Sequence, residues 1–405
     1  MRNIFIFEPH ASGHRLVYVR YLLAALEWYS GLKVMLMLSE RDHDHPQARQ
    51  LATEFPDMLR LVHFNDGPKQ PVLAKIHPRL AQQFRYIEIL RRALAANPGW
   101  NIGYVFIPFV DDYGLVPLAL SRRPFGGLPW GGIVVRPRYH QAEQGYAPRR
   151  LADRLERVLY GMLMRAGGDL RQIFTIDPYF AEAWATPRLK YVPDPAEMEV
   201  LDPAQARARL GFSESDRIVL VYGHLDHRKG IPDLLRAVSE GGLPDSVKLL
   251  LAGLQHADIR ALLDQPPYTG MKRKGQIVEI DRVVSDAEES LVFSAADLVW
   301  VYYPGNYGPS GVLVRAGLAG KAVICSDGGF CARTVAGTRM GLVVAGKSAS
   351  DLADALRTLV RDDAARYAMG QAGRKHFSTA TPAQFAAPIV DGIIDSVAQA
   401  PAGVS

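Results

Sequence analysis

"RIVLVYG" at Arg217–Gly223 is a short, near-continuous apolar run ending in glycine, and "HLDHRKGIPDLLRAV" at His224–Val238 follows it with apolar residues at helical spacing. A run without polar alternation reads as a β-strand buried on both faces, the situation of a strand inside a parallel sheet. The alternation then continues through "VKLLLAG" (Val247–Gly253), "QIVEIDRVV" (Gln276–Val284), "ESLVFSAADLVWVYY" (Glu289–Tyr303) and "YGPSGVLVRAGLAGKAVICSD" (Tyr307–Asp327). In the last of these the spacing predicts a helix over Val312–Ala319, ended by Gly320-Lys321 before an apolar run over Ala322–Cys325. Strands separated by helical patterns predict an α/β domain with a parallel sheet.

The first half of the chain reads the same way. "NIFIF" (Asn3–Phe7), "KVMLML" (Lys33–Leu38), "IGYVFI" (Ile102–Ile107) and "GGIVV" (Gly131–Val135) read as strands, and "HRLVYVRYLLAALEWY" (His14–Tyr29) as a helix. Between Thr186 and Pro203, "TPRLKYVPDPAEMEVLDP" carries four prolines and little periodicity, which reads as an inter-domain linker. The expected organisation is a first domain over 1–190, a linker over 191–203 and a second domain over 204–381, with a helix-like segment at 382–400 completing the first. Two doubly wound, Rossmann-like domains facing a central crevice at the carboxyl ends of their strands is the architecture this predicts.

Composition sets limits on the function. At 405 residues the chain holds two domains of ordinary size, and 48% hydrophobic with 22% charged residues is globular composition. No apolar stretch approaches the roughly 20 residues of a membrane helix, and Ile4–Phe7 is too short for a signal-peptide core, so a soluble cytoplasmic protein is expected. Cys325 and Cys331, the only cysteines, lack disulfide-framework and zinc-ligand patterns and read as reduced and structural. The net charge is +5, and residues 1–199 hold all of that excess, with 25 Lys and Arg against 20 Asp and Glu. Much of it sits in Arg136 to Arg171, where "APRRLADRLERVLYGMLMRAG" (Ala147–Gly167) has Leu151, Leu155, Val158, Leu159 and Met162 at helical spacing opposite Arg150, Arg154 and Arg157. Two readings stand: a core-packed helix with a solvated basic face, or a surface attracted to an anionic membrane or acceptor.

The second domain carries the clearest phosphate chemistry. His224, His227, Arg228 and Lys229 cluster after the strand ending at Gly223, where cations suit a diphosphate. Gly308, Ser310 and Gly311 precede the helix at Val312, and helix N-termini offer unpaired N–H groups and partial positive charge to a phosphate, with the Ser310 hydroxyl as a further donor. "DHDHP" at Asp42–Pro46 has metal-ligating residue types but reads better as a polar loop, and no metal site is expected. No feature calls for nucleic acid.

Taken in order, "VLVYGHLDHRKGIPDLLRAV", "VVSDAEESLVFSAADLVWVYYP" and "YGPSGVLVRAGLAGKAVICSD" resemble the donor-domain motifs of GT-B glycosyltransferases, most closely the retaining family 4 type. The resemblance runs from about Tyr191 to Phe377. It is thinner in the first domain, where "ASGHRLVYVRYLLAAL" (Ala11–Leu26) is similar to the glycine loop and helix after the first strand. By this resemblance Gly13 and His14 would face the donor diphosphate, Lys229 would bind it, and "VVRPRYH" (Val134–His140) would bring His140 or Arg136 near the transferred sugar. The chain departs from the family where His224 stands at an arginine position, with Arg228 as a substitute. It departs again where Tyr307 and Arg315 stand for two glutamates eight positions apart. In the family the first glutamate contacts the sugar and the second the ribose. Arginine has no acceptor for ribose hydroxyls, so Arg315 is expected to pair with a phosphate instead.

The resemblance implies a hexosyltransferase that moves a sugar from a nucleotide-diphosphate sugar to an acceptor, with retention, without metal and with no cofactor beyond that co-substrate. The expected catalytic group is His140, Arg136 and Tyr307. The expected partners are the nucleotide-sugar donor, an unidentified acceptor and, through the basic first domain, an anionic membrane face. The departures keep two other readings open: a non-catalytic GT-B module that binds a nucleotide or partner, and a sugar-phosphate enzyme such as an epimerase on the same scaffold.

Overall fold

The computed structural model describes residues 2–11, 15–42, 44–65, 77–165, 168–346 and 348–399. They form two compact units: Met1–Ala142 with Arg149–Pro195 and Pro382–Ser405, and Glu143–Pro148 with Ala196–Thr381.

The sheet of the first unit is built from β1 (Asn3–Phe7), β2 (Val34–Ser39), β3 (Leu59–Phe64), β4 (Ile102–Ile107), β5 (Trp130–Val134), β6 (Leu170–Thr175) and β7 (Leu189–Tyr191). Its order is β3-β2-β1-β4-β5-β6-β7, with every pairing parallel. The second sheet comprises β8 (Arg217–Tyr222), β9 (Val247–Ala252), β10 (Ile277–Ile280), β11 (Leu298–Val301), β12 (Ala322–Ser326) and β13 (Gly341–Val344), in the order β10-β9-β8-β11-β12-β13 and again all parallel. Both sheets are doubly wound, with strand order reversing between β1 and β4 and between β8 and β11.

The apolar strands follow from this topology. Alternate residues of a strand point to opposite faces, so Ile4 and Ile6 enter one core while Phe5 and Phe7 enter the other. Ile218 and Leu220 are likewise separated from Val219 and Val221. With helices on both sides, neither face of a central strand meets water. The helix Pro382–Gln399 belongs to the first unit, where Phe385, Ile389 and Ile393 share a core with Leu22 and Leu26 of the helix Arg15–Leu26.

Three sequence expectations change. β7 lies inside the proline-rich stretch read as linker, because Leu189–Tyr191 pairs with Ile173–Thr175. β3, β6 and β13 escaped notice: β3 is half-buried and mixes polar with apolar residues, and β13 is only four residues long. The helix Leu151–Arg165 buries Leu159, Tyr160, Leu163 and Met164, whereas Leu151, Leu155, Val158 and Met162 are exposed. Backbone hydrogen bonds set its rotation. Asp153 accepts from the Arg150 N–H at 2.6 Å, and Glu156 accepts from the N–H groups of Arg138 and Tyr139 at 3.2 Å each, which turns both carboxylates inward.

Candidate functional site

In the second unit β8 leads to Gly223 and β11 to Tyr302 and Tyr303, so the reversal point lies beneath the loop that carries the predicted cations. Asp226 shapes that loop, accepting from the Arg228 N–H at 3.0 Å and holding the Arg228 guanidinium at 2.8 and 2.6 Å. Gly230 then closes the turn at φ +59°, where a Cβ would stand 2.7 Å from the Tyr302 ring. A left-handed residue pressed against a ring has room for glycine alone.

Lys229 is the residue this loop delivers. Its Nζ lies 4.8 Å from the centroid of the Tyr303 ring and 3.5 Å from the Tyr303 hydroxyl, while its carbonyl accepts from the Trp300 indole at 2.9 Å. Among the described residues no carboxylate lies within ion-pair distance of the ammonium. Burial brings its pKa down to about 8, with the Arg228 charge pushing the same way and Asp226 opposing. The Ser310 side chain lies beside Tyr303 and leaves its own helix, Gly311–Leu318, without a side-chain cap. Lys229, Tyr303 and Ser310 therefore form one contiguous group with the start of that helix.

The other predicted residues scatter around this group. His224 and the Arg228 side chain are exposed, and Arg228 is spent on Asp226. Gly308 is buried, and Tyr307 is half-buried with its carbonyl taken by the Phe330 N–H at 2.9 Å. Arg315 points to a carboxylate: its Nε donates to Glu289 at 2.7 Å and its Nη1 to the Gly311 carbonyl at 3.3 Å. Glu289 also accepts from the Tyr222 hydroxyl, and the Arg315 and Glu289 side chains are only 12% and 10% exposed. Sequence reading missed Glu289 because its partner lies 26 residues away.

In the first unit Gly13 and His14 lie outside the described residues, but their neighbours carry polar chemistry at the β1 and β4 ends. Glu8, fully buried just past β1, accepts from the Tyr113 hydroxyl and, at 3.1 Å, from the His10 N–H. Its second oxygen has no partner among the described residues. Arg15 stands 3.8 Å from Glu8, donates to Tyr113 and pairs with Asp112 at 2.9 Å. Burial raises the Glu8 pKa to about 8, against the pull of Arg15 and Tyr113. An acid closing an apolar strand, "NIFIFE", was the available signal. After β5, Arg136 is exposed and its N–H donates to Asp111 at 2.6 Å. His140 is buried, its ring set edge-on to Phe180 at 5.6 Å. From Asp42–Pro46, His45 caps the helix Pro46–Glu54 by accepting from the Gln47 N–H at 3.3 Å, and His43 lies outside the described residues.

Two outcomes are expected. Arg315→Ala strands the Glu289 carboxylate in a low-dielectric site and should cost about 3–5 kcal/mol in denaturant unfolding, with part of the loss restored by adding Glu289→Gln. Glu8 keeps its proton to about pH 8 in the folded state, whereas the unfolded side chain ionises near its ordinary 4.5. The folded state therefore binds more protons between those values, and this group's contribution to stability falls as pH rises through that window. Glu8→Gln should shrink the stability difference between pH 5 and pH 8.5 by at least about 1.4 kcal/mol, the equivalent of one pKa unit.

Comparison with known proteins places this geometry. Residues 216–362 match the family model for glycosyl transferases group 1. The D-inositol 3-phosphate glycosyltransferase of Arthrobacter sp. strain FB24 is 26% identical over 387 residues, covering 90% of this chain and 86% of that protein. The protein of the same name from Nocardioides sp. strain JS614 is 31% identical over 201 residues, but these span 44% of this chain and 43% of the relative. The match thus covers less than half of that relative's length. Among solved structures, sucrose-phosphate synthase from Thermosynechococcus elongatus superposes with a TM-score of 0.67 at 19% identity, covering 98% of both chains. HepE from Anabaena, in complex with UDP, does so at 0.66 and 14% identity, covering 98% of this chain and 100% of that one. The chain has the GT-B fold, and its residues 216–362 are similar to the glycosyl transferases group 1 family.

Proposed function

We propose that the chain is a glycosyltransferase whose second unit binds a nucleotide-diphosphate sugar, with the diphosphate against Lys229, Ser310 and the start of the helix Gly311–Leu318. The observation that carries this reading is Lys229: a largely desolvated ammonium without a counter-anion among the described residues, at the strand-end reversal point of a doubly wound sheet. Such a cation is completed by an anionic ligand, which also restores the proton that burial disfavours. The names of the solved relatives, one of them bound to UDP-glucose, support a nucleotide sugar as that anion.

Transfer breaks the bond between the anomeric carbon and the diphosphate and forms one to an acceptor oxygen, so negative charge grows on the departing phosphates. Lys229, the Ser310 hydroxyl and the helix N–H groups act where that charge develops, which is positioning and electrostatic stabilisation rather than covalent catalysis. Retention of configuration and metal independence belong to the same reading. Of the two first-unit candidates, Arg136 after β5 is exposed, whereas His140 is buried. The relatives' names place inositol phosphates among the acceptors to be tried.

One observation favours a second reading, a nucleotide-binding module that does not transfer sugar. Tyr307 and Arg315 stand where the resembling family has glutamates, and Arg315 is held by Glu289. Incubation with UDP-, GDP-, ADP- and dTDP-sugars separates the two: release of free nucleoside diphosphate supports the enzyme, and tight binding without release supports the module.

Lys229→Ala should weaken donor binding by about 1.5–3 kcal/mol, roughly 10- to 150-fold in Kd, with the fold intact by circular dichroism. Because the binding form is the ammonium with its pKa near 8, wild-type affinity should fall as pH rises above about 8, and the alanine variant should lose that dependence. Unchanged affinity in the variant would remove Lys229 from the site. Activity should also survive EDTA; abolition by chelation and rescue by Mg²⁺ or Mn²⁺ would refute metal-independent stabilisation of the leaving group.

A further inference from the structure

The helix Leu151–Arg165 turns an apolar stripe to solvent. Leu151 is 87% exposed, Leu155 61%, Val158 56% and Met162 41%. Their spacing of four, three and four residues places them within roughly 60° of arc at 3.6 residues per turn, so they form a single ridge. The opposite face is committed to the core through Leu159, Tyr160, Leu163 and Met164, and inward-turned Asp153 and Glu156 fix that rotation. The ridge is therefore not a core face misplaced by a small twist of the helix.

The exposed charges of this helix and of its start are of one sign. Arg154 and Arg165 are exposed along one flank, Arg150 and Arg157 are exposed further round, and Arg149 is exposed at the helix start. The acids of this helix are the two anchored inward. The adjoining helix Leu115–Ala119 ends in Leu120, 59% exposed, followed by Arg122 and Arg123. An apolar ridge flanked by arginines, whose long stems reach past it, is the pattern of a helix lying in a lipid interface. Among the described residues no helix is long and apolar enough to cross a membrane, so such a contact lies on the surface.

We propose that Leu151, Leu155, Val158 and Met162, with the arginines beside them, form a face of the first unit that rests on an anionic lipid bilayer. The ridge enters the boundary between headgroups and acyl chains, and Arg150, Arg154 and Arg165 meet the lipid phosphates. A second copy of the chain is a poorer occupant, because two-fold packing of these ridges would bring like arginines together. An anionic bilayer satisfies both the apolar stripe and its charge.

The test is co-sedimentation of the full chain with vesicles of phosphatidylglycerol and phosphatidylcholine in equal parts, against vesicles of phosphatidylcholine alone. Binding to the anionic vesicles is expected at about 50 mM salt, decreasing as salt rises. Leu155→Ser with Val158→Ser should weaken it about tenfold or more through lost apolar burial, and Arg150→Gln with Arg154→Gln by about fivefold per arginine. All four positions are exposed, so unchanged thermal melts should accompany both variants. Absence of wild-type binding to anionic vesicles, or binding indifferent to both variants, overturns the proposal. So does a dimer in sedimentation equilibrium that Leu155→Ser dissociates without lipid, which would make the ridge a protein interface.

Discussion

The parallel pairing of β8 with β11 is the constraint on which the second unit depends. The chain leaves β8 for the helix Ile231–Glu240 in one core and leaves β11 for the helix Gly311–Leu318 in the other. Two connections departing to opposite faces leave a gap at the strand ends that neither fills. Lys229 and Tyr303 meet there, on the loops that follow the two strands. The first unit repeats the device: the helix after β1 packs into one core and Val110 and Tyr113, after β4, into the other, with Glu8 between.

Charge is handled differently at the two gaps. In the second unit Lys229 has no acid at ion-pair distance among the described residues, and burial weakens its hold on its proton, the basis of the proposed anion site. In the first unit the buried group is a carboxyl with an arginine nearby and one oxygen that has no partner among the described residues, so burial favours its neutral form. A neutral carboxyl can donate a hydrogen bond as well as accept one. The pair Arg315 and Glu289 is the third case, in which a buried cation and a buried anion face each other. Its energy is bound up in mutual neutralisation, and it ties the helix Gly311–Leu318 to the helix Asp286–Ala295 beside Tyr222.

The sequence by itself determined the α/β class and the doubly wound pattern occurring twice, and it supplied the residues of the proposed phosphate site, after β8 and before the helix at Gly311. Each is a local property. Strands buried on both faces must be apolar throughout, helices must show their period, and glycine, serine and lysine at strand ends are visible in a few residues. Tertiary structure alone decided what local reading cannot reach. Glu289 meets Arg315 across 26 residues, and Glu8 meets Tyr113 across 105. The rotation of the helix Leu151–Arg165 was ambiguous because apolar residues occur on two of its faces. Distant backbone N–H groups at Arg138 and Tyr139, drawn to Glu156, selected which face is buried and turned the other to solvent.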